Sequence, residues 1–150
     1  MHTIEKQEAL VSDLMIILQD RYEGYQKAAG ETKDPGLEEL FKKLSHQSLQ
    51  FRNELKGLYT HGVPESANGT LLSGKLYRVW MDIKAGVSLH NPKVILSSCE
   101  YGEDMVMKAY KDVLSEPEEL SPDALHLLMN QQQVLKQSHD FIRKLRDEAN

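Results

Sequence analysis

Glu100, Glu103 and Asp104 fall within the stretch CEYGEDMVMKAY, Cys99 to Tyr110, inside what otherwise reads as the apolar stripe of a helix. Residues three apart share a helix face, so Glu100 and Glu103 have a spacing from which two carboxylates can meet one metal ion. Asp20 and Glu23 repeat that spacing, Glu54 borders the stripe of another segment, and His139 interrupts the apolar line of Leu128, Leu135 and Ile142. A site drawn from Glu23, Glu54, Glu100, Glu103 and His139 would suit a divalent ion such as iron, manganese or zinc. The competing reading is structural: carboxylates near a core edge that are hydrogen-bonded or solvated and hold helices in register.

Other chemistries have less support. A reactive cysteine needs an electropositive setting, whereas Cys99, the one cysteine, adjoins Glu100 and lines up with the apolar Ile95 and Val106, so it reads as a small core residue. No Gly-rich phosphate loop, Gly-x-Ser-x-Gly or Cys-x-x-Cys is present. Met81, Met105, Met107 and Met129 read as gap fillers of a helical core. A net charge of -5 opposes binding to phosphate-rich surfaces, so neither nucleic acid nor an anionic membrane is an expected partner. Charges thread the first twenty residues, unlike a signal peptide, and no stretch approaches the roughly 18 apolar residues of a membrane span. A lone cysteine fits a reducing compartment, so the cytoplasm is expected. Asn68 in NGT is then better read as a turn than as a glycosylation site.

The elements that would position these residues are clearly punctuated. Asp34-Pro35, Asn91-Pro92 and Ser121-Pro122 each place a capping oxygen before a proline and an apolar-periodic run, the signature of a helix start. Gly30, Gly62 with Pro64, and Pro117 supply stops. Helices are expected over about Thr3 to Ala29, Pro35 to His61, Leu71 to Val87, Pro92 to Leu114 and Pro122 to Glu148. The short links GETKDP and SEPEELS make two antiparallel hairpins. Gly62 to Asn91 can span the bundle, and one long crossover marks ferritin-like topology. No run keeps the period-2 alternation of a strand. The expected fold is all-α: one domain, residues 1–150, a ferritin-like four-helix bundle of two hairpins joined by a crossover that contains an extra helix.

The order of LQDRYEGYQKAAG, DPGLEELF, FRNEL, HGVPE, SGKLYRVWMDIKAG, CEYGEDMVMKAY and HDFIRKLRD resembles a bacterial family of small ferritin-like four-helix-bundle proteins classed as a domain of unknown function. The resemblance covers nearly the whole chain and implies a fold and a superfamily, without an established activity. Di-iron members of that superfamily draw one Glu from each of two helices and a Glu-x-x-His from each of the other two. This chain has no Glu-x-x-His. Counted in the family-like frame, the ligand slots fall on Leu18, Ser48 and Phe51, and the last helix offers Gln133 and Lys136, or Gln137 and Asp140. Asp123-x-x-His126 and His2-x-x-Glu5 are near-misses placed at helix ends.

A symmetric second hairpin centred near Glu118 would set His139 opposite about Ser97, bringing Glu100 and His139 within about a helical turn. That predicts a buried His–Glu pair with Gln132 and Tyr110 nearby, and a salt bridge from Glu54 to Arg21 or Arg78. Three function classes remain open. The favoured one is a non-catalytic interaction or stress-associated bundle with no cofactor, binding itself as a homodimer or a protein partner. The second is a rearranged metal site, and the third a small-ligand carrier with a pocket near Tyr77 and Trp80.

Overall fold

Capping oxygens decide where three of the four long helices begin. In the computed structural model, which describes residues 4–59 and 91–149, the helices are α1 (Ile4–Glu31), α2 (Pro35–Lys56), α3 (Pro92–Leu114) and α4 (Pro122–Glu148), with a short 3-10 turn at Pro117–Glu119. Asp34 Oδ1 accepts from the Gly36 and Leu37 amides at 2.8 and 3.1 Å, Asn91 Oδ1 from Lys93 at 2.9 Å, and Ser121 Oγ from Ala124 at 3.1 Å. Each cap satisfies amide groups that the first helical turn leaves without a partner, a contribution of about 1 kcal/mol apiece. Helix α2 stops at Lys56, short of the expected His61, because the Gly57 amide turns back to the Glu54 and Leu55 carbonyls.

Helix α1 packs on α2, α3 on α4, and α1 on α3. Side-chain bonds fix the directions. Tyr59 of the α2 end reaches the Glu8 carbonyl near the start of α1, while Gln26 bonds Ser45, so α1 and α2 are antiparallel. Gln131 bonds the Phe51 carbonyl and Ser138 bonds Gln47, so α2 and α4 are antiparallel as well. Pro92 shares a cleft with Asp34 and Leu37, at the opposite end from Tyr59. The link between α2 and α3 therefore crosses the length of the bundle, and the two hairpins are joined by a crossover. The helix expected at about Leu71 to Val87, with Tyr77, Arg78, Trp80 and Met81, lies outside the described residues. Among the described residues there are no strands.

Val11, Leu14 and Leu18 of α1 meet Phe41 and Leu55 of α2, Ile95 and Val106 of α3, and Leu128, Leu135 and Ile142 of α4 in one core. Burying each such side chain stabilises by about 1.5–3 kcal/mol. Cys99 lies in this core as expected. Met129 does not fill a gap there: it stands exposed on α4. No helix among the described residues is long and apolar enough to cross a membrane.

Candidate functional site

Arg21 occupies the centre of the bundle. It follows Leu18 by three residues and precedes Tyr25 by four, so helical spacing carries it inward with the apolar stripe. Arg21 is 0% exposed and Glu103 1%. The guanidinium grips Glu103 with both arms, Nε to Oε1 at 2.7 Å and Nη2 to Oε2 at 2.9 Å. This parallel fork is the strongest geometry available to an arginine and a carboxylate. Nη1 donates to Ser48 Oγ at 2.9 Å and the Leu44 carbonyl at 3.3 Å, and Ser48 Oγ in turn donates a hydrogen bond to the Leu44 carbonyl at 3.0 Å. Tyr25 donates to Glu103 Oε2 at 2.8 Å, and its ring lies 5.2 Å from the Arg21 Cζ. Three helices, α1, α2 and α3, thus meet on one ion pair.

Electrostatics keep this centre charged. Burial alone would lower the pKa of Arg21, but the adjacent Glu103 outweighs it and the guanidinium is held above its ordinary value. Burial, and then the negative charge of Glu103, push the Tyr25 phenol well above its usual range, so its proton stays in place as a donor.

A second polar layer lies two helical turns along α3. Tyr110 donates to Gln131 Oε1 at 2.7 Å, and Gln131 Nε2 donates to Glu54 Oε1 at 2.9 Å and the Phe51 carbonyl at 3.2 Å. Tyr110 was expected in the polar core and is there, raised in pKa first by burial. Its partner is Gln131, one residue before the expected Gln132, which is only half-buried. Glu54 pairs with neither Arg21 nor any other described arginine: Gln131 takes it, because Arg21 is already filled by Glu103.

The expected His139–Glu100 pair does not form. His139 Nε2 meets Asp104 Oδ1 at 2.5 Å and Nδ1 meets Asp140 Oδ1 at 3.0 Å, while Glu100 pairs with Arg146. The reason is axial offset. Residues 115–121, with their 3-10 turn, carry the chain on past the end of α3 before α4 begins, so Asp104 instead of Ser97 faces His139. Burial lowers the pKa of His139, but bonds to Asp140 and Asp104 outweigh it and the net shift is upward. Lys136 and His139 hold Asp140 down at about 2.

Of the five metal candidates, Glu103 is committed to Arg21, Glu100 to Arg146, Glu54 to Gln131 and His139 to two aspartates. Glu23 is partly buried, and its Oε2 has no hydrogen-bond partner among the described residues. They do not converge: among the described residues no group of three or more His, Cys, Asp or Glu side chains could hold a metal ion. The donor set around Glu103 is an arginine, a tyrosine and a serine, so the residues present do not fit a di-iron centre. Leu18, Ser48 and Phe51, the positions that the ferritin-like resemblance would assign to ligands, are all buried. What the spacing argument missed is the central place of Arg21 and its pairing with Glu103 in place of Glu54; its position on the line Leu14, Leu18, Tyr25 and Ala28 is itself the signal.

The fold and site together define a four-helix bundle built around a buried guanidinium–carboxylate pair. A family described as a domain of unknown function (DUF2383) matches residues 8–116, well over half of the chain, and the protein belongs to that family. Neither a curated protein nor a solved structure matches the chain.

Proposed function

We propose that the protein is a ferritin-like bundle in which the Arg21 guanidinium stands where metal-binding relatives of that architecture hold ions, and that it acts without catalysis, as an interaction or stress-associated protein. The observation that carries this reading is the forked Arg21–Glu103 pair, sealed at 0% and 1% exposure. A tethered guanidinium is a permanent cation with no open coordination position and no change of oxidation state. It offers the helices a charge to gather around and offers a substrate nothing to bind. Function then falls to the outer faces of the bundle, through a second copy of the chain or a protein partner. A cytoplasmic setting accords with this, because the one cysteine is enclosed in the core.

The test is elemental analysis of protein purified without chelator, alongside a Glu103→Ala variant. Neither sample is expected to carry stoichiometric iron, manganese or zinc. Stoichiometric metal in the parent that disappears in the variant would overturn the reading.

A further inference from the structure

Helix α4 is anchored unevenly. Four of its five buried residues, Ala124, Leu128, Gln131 and Leu135, lie before His139, and Ile142 alone lies after it. From His139 to Glu148 the helix is held chiefly by Ile142 in the core with Leu145 packed beside it, by Arg146 on Glu100, and by His139 on Asp104. The last of these attachments belongs to one protonation state. Both ring nitrogens of His139 face carboxylate oxygens, Nε2 toward Asp104 at 2.5 Å and Nδ1 toward Asp140 at 3.0 Å. An ionised carboxylate only accepts, so both nitrogens must carry hydrogen, which makes the ring an imidazolium. A neutral ring has one N–H and sets a lone pair against one of the two carboxylates.

The two aspartates are not equally supplied with cations. Asp140 keeps Lys136 at 2.8 Å and Arg143 at 3.4 Å, whereas Asp104 has no second cation within 4.0 Å among the described residues. The other charged groups at this level are engaged: on α3, Glu100 by Arg146, Glu103 by Arg21 and Lys108 by Asp112. Helix α1 brings Arg21, turned to Glu103, and α2 brings the uncharged Ser48 and Gln47. Because Glu103 and Asp104 are neighbours, one level of the bundle joins all four helices. One side is tied by an arginine that does not titrate, the other by a histidine that does.

We propose that His139 is a pH-sensitive latch, whose loss of a proton frees residues 139–148 of α4 from α3 while the Arg21–Glu103 centre and the first half of α4 stay in place. The ordinary value of 6.5 is shifted upward in His139, so the latch is closed below 6.5 and opens as pH rises through the folded value. A helix end with few buried contacts opens locally at less cost than the whole fold. Asp104 is 58% exposed, and losing a pair of this kind changes local opening by about two- to fivefold. Leu145 and Glu148 wall a cleft with Leu37, Pro92 and Leu96, so release of this segment bares those apolar side chains more often at higher pH.

Hydrogen exchange of the full chain, read by mass spectrometry from about pH 5.5 to about 8.5, tests the latch. Protection of the 140–148 amides, corrected for the intrinsic rate at each pH, should fall about two- to fivefold across that range, with residues 125–135 unchanged. His139→Lys, whose cation does not titrate there, should abolish the fall. Asp104→Asn, at an exposed position that the core does not need, should give low protection at every pH. Protection over 140–148 that ignores pH in the parent, an equal fall over 125–135, or the parent's fall persisting in either variant would each overturn the proposal. Neither metal content nor Arg21 enters these readouts, so their failure would leave the reading of the central ion pair standing.

Discussion

Replacing Arg21 alone should damage the protein more than replacing Arg21 and neutralising Glu103 together. Arg21→Met removes the fork to Glu103 at 2.7 and 2.9 Å and the bond to Ser48 at 2.9 Å, and leaves a carboxylate that is 1% exposed without its cation. Breaking one side of a buried pair typically costs about 3–5 kcal/mol, a large share of the roughly 5–15 kcal/mol that stabilises a domain. At about 2–4 °C per kcal/mol for a chain of this size, the melting temperature should fall by about 10 °C. The second change, Glu103→Gln, removes the stranded charge and keeps an acceptor for the Tyr25 hydroxyl. The double variant should therefore regain about 2 kcal/mol or more relative to Arg21→Met. Urea unfolding followed by circular dichroism measures all three free energies without screening the charges. A loss below about 1 kcal/mol in the single variant, the scale of a surface pair, would refute the reasoning, as would a double variant no better than the single.

Other consequences are equally direct. Tyr25 and Tyr110 have pKa values raised above the ordinary 10.0, chiefly by burial. Their contribution to folding stability should thus be intact below pH 10 and decline above it, as unfolded phenols ionise first. A spectrophotometric titration should show these two tyrosines ionising only with unfolding; early ionisation of all six would contradict this. The raised pKa of His139 has the same sign: its contribution to α3–α4 pairing is full below pH 6.5 and is lost as pH rises through the folded value. His139→Gln should flatten stability across that window, and a chemical-shift titration should place the ring above 6.5. Gln131→Leu should cost about 1–3 kcal/mol by leaving the Tyr110 hydroxyl unpaired, whereas Gln132→Ala should cost within about 0.5 kcal/mol. Equal losses at the two positions would place the polar layer wrongly.

The helices were legible in the chain because their signals are local. Asp34-Pro35, Asn91-Pro92 and Ser121-Pro122 fix three starts within a residue, since a cap and a proline act on the turn that contains them. Pairings between helices were less legible, because they depend on how far a linker carries the chain before it reverses. Seven residues between α3 and α4 displaced the partner of His139 by two turns, from Ser97 to Asp104, and so released Glu100 to Arg146. Gln131 and Gln132 differ by only 100° of helix rotation, too little for a stripe count to separate. Glu103 was legible as a carboxylate that holds helices together, with His139 or an arginine as its company; that the partner is Arg21 was not singled out, although an apolar stripe that contains an arginine requires a buried anion elsewhere, and Glu103 was the carboxylate to match with it.

The central claim is that the carboxylate in the middle of the bundle is held by a guanidinium and not by an ion. Anomalous diffraction from crystals grown with manganese, and separately with anaerobic ferrous iron, tests it most directly. The expected map has Arg21 forked onto Glu103, with Ser48 and Tyr25 closing around the pair and no anomalous peak beside that carboxylate. A peak coordinated by Glu103, with Arg21 turned away from it, would contradict the account.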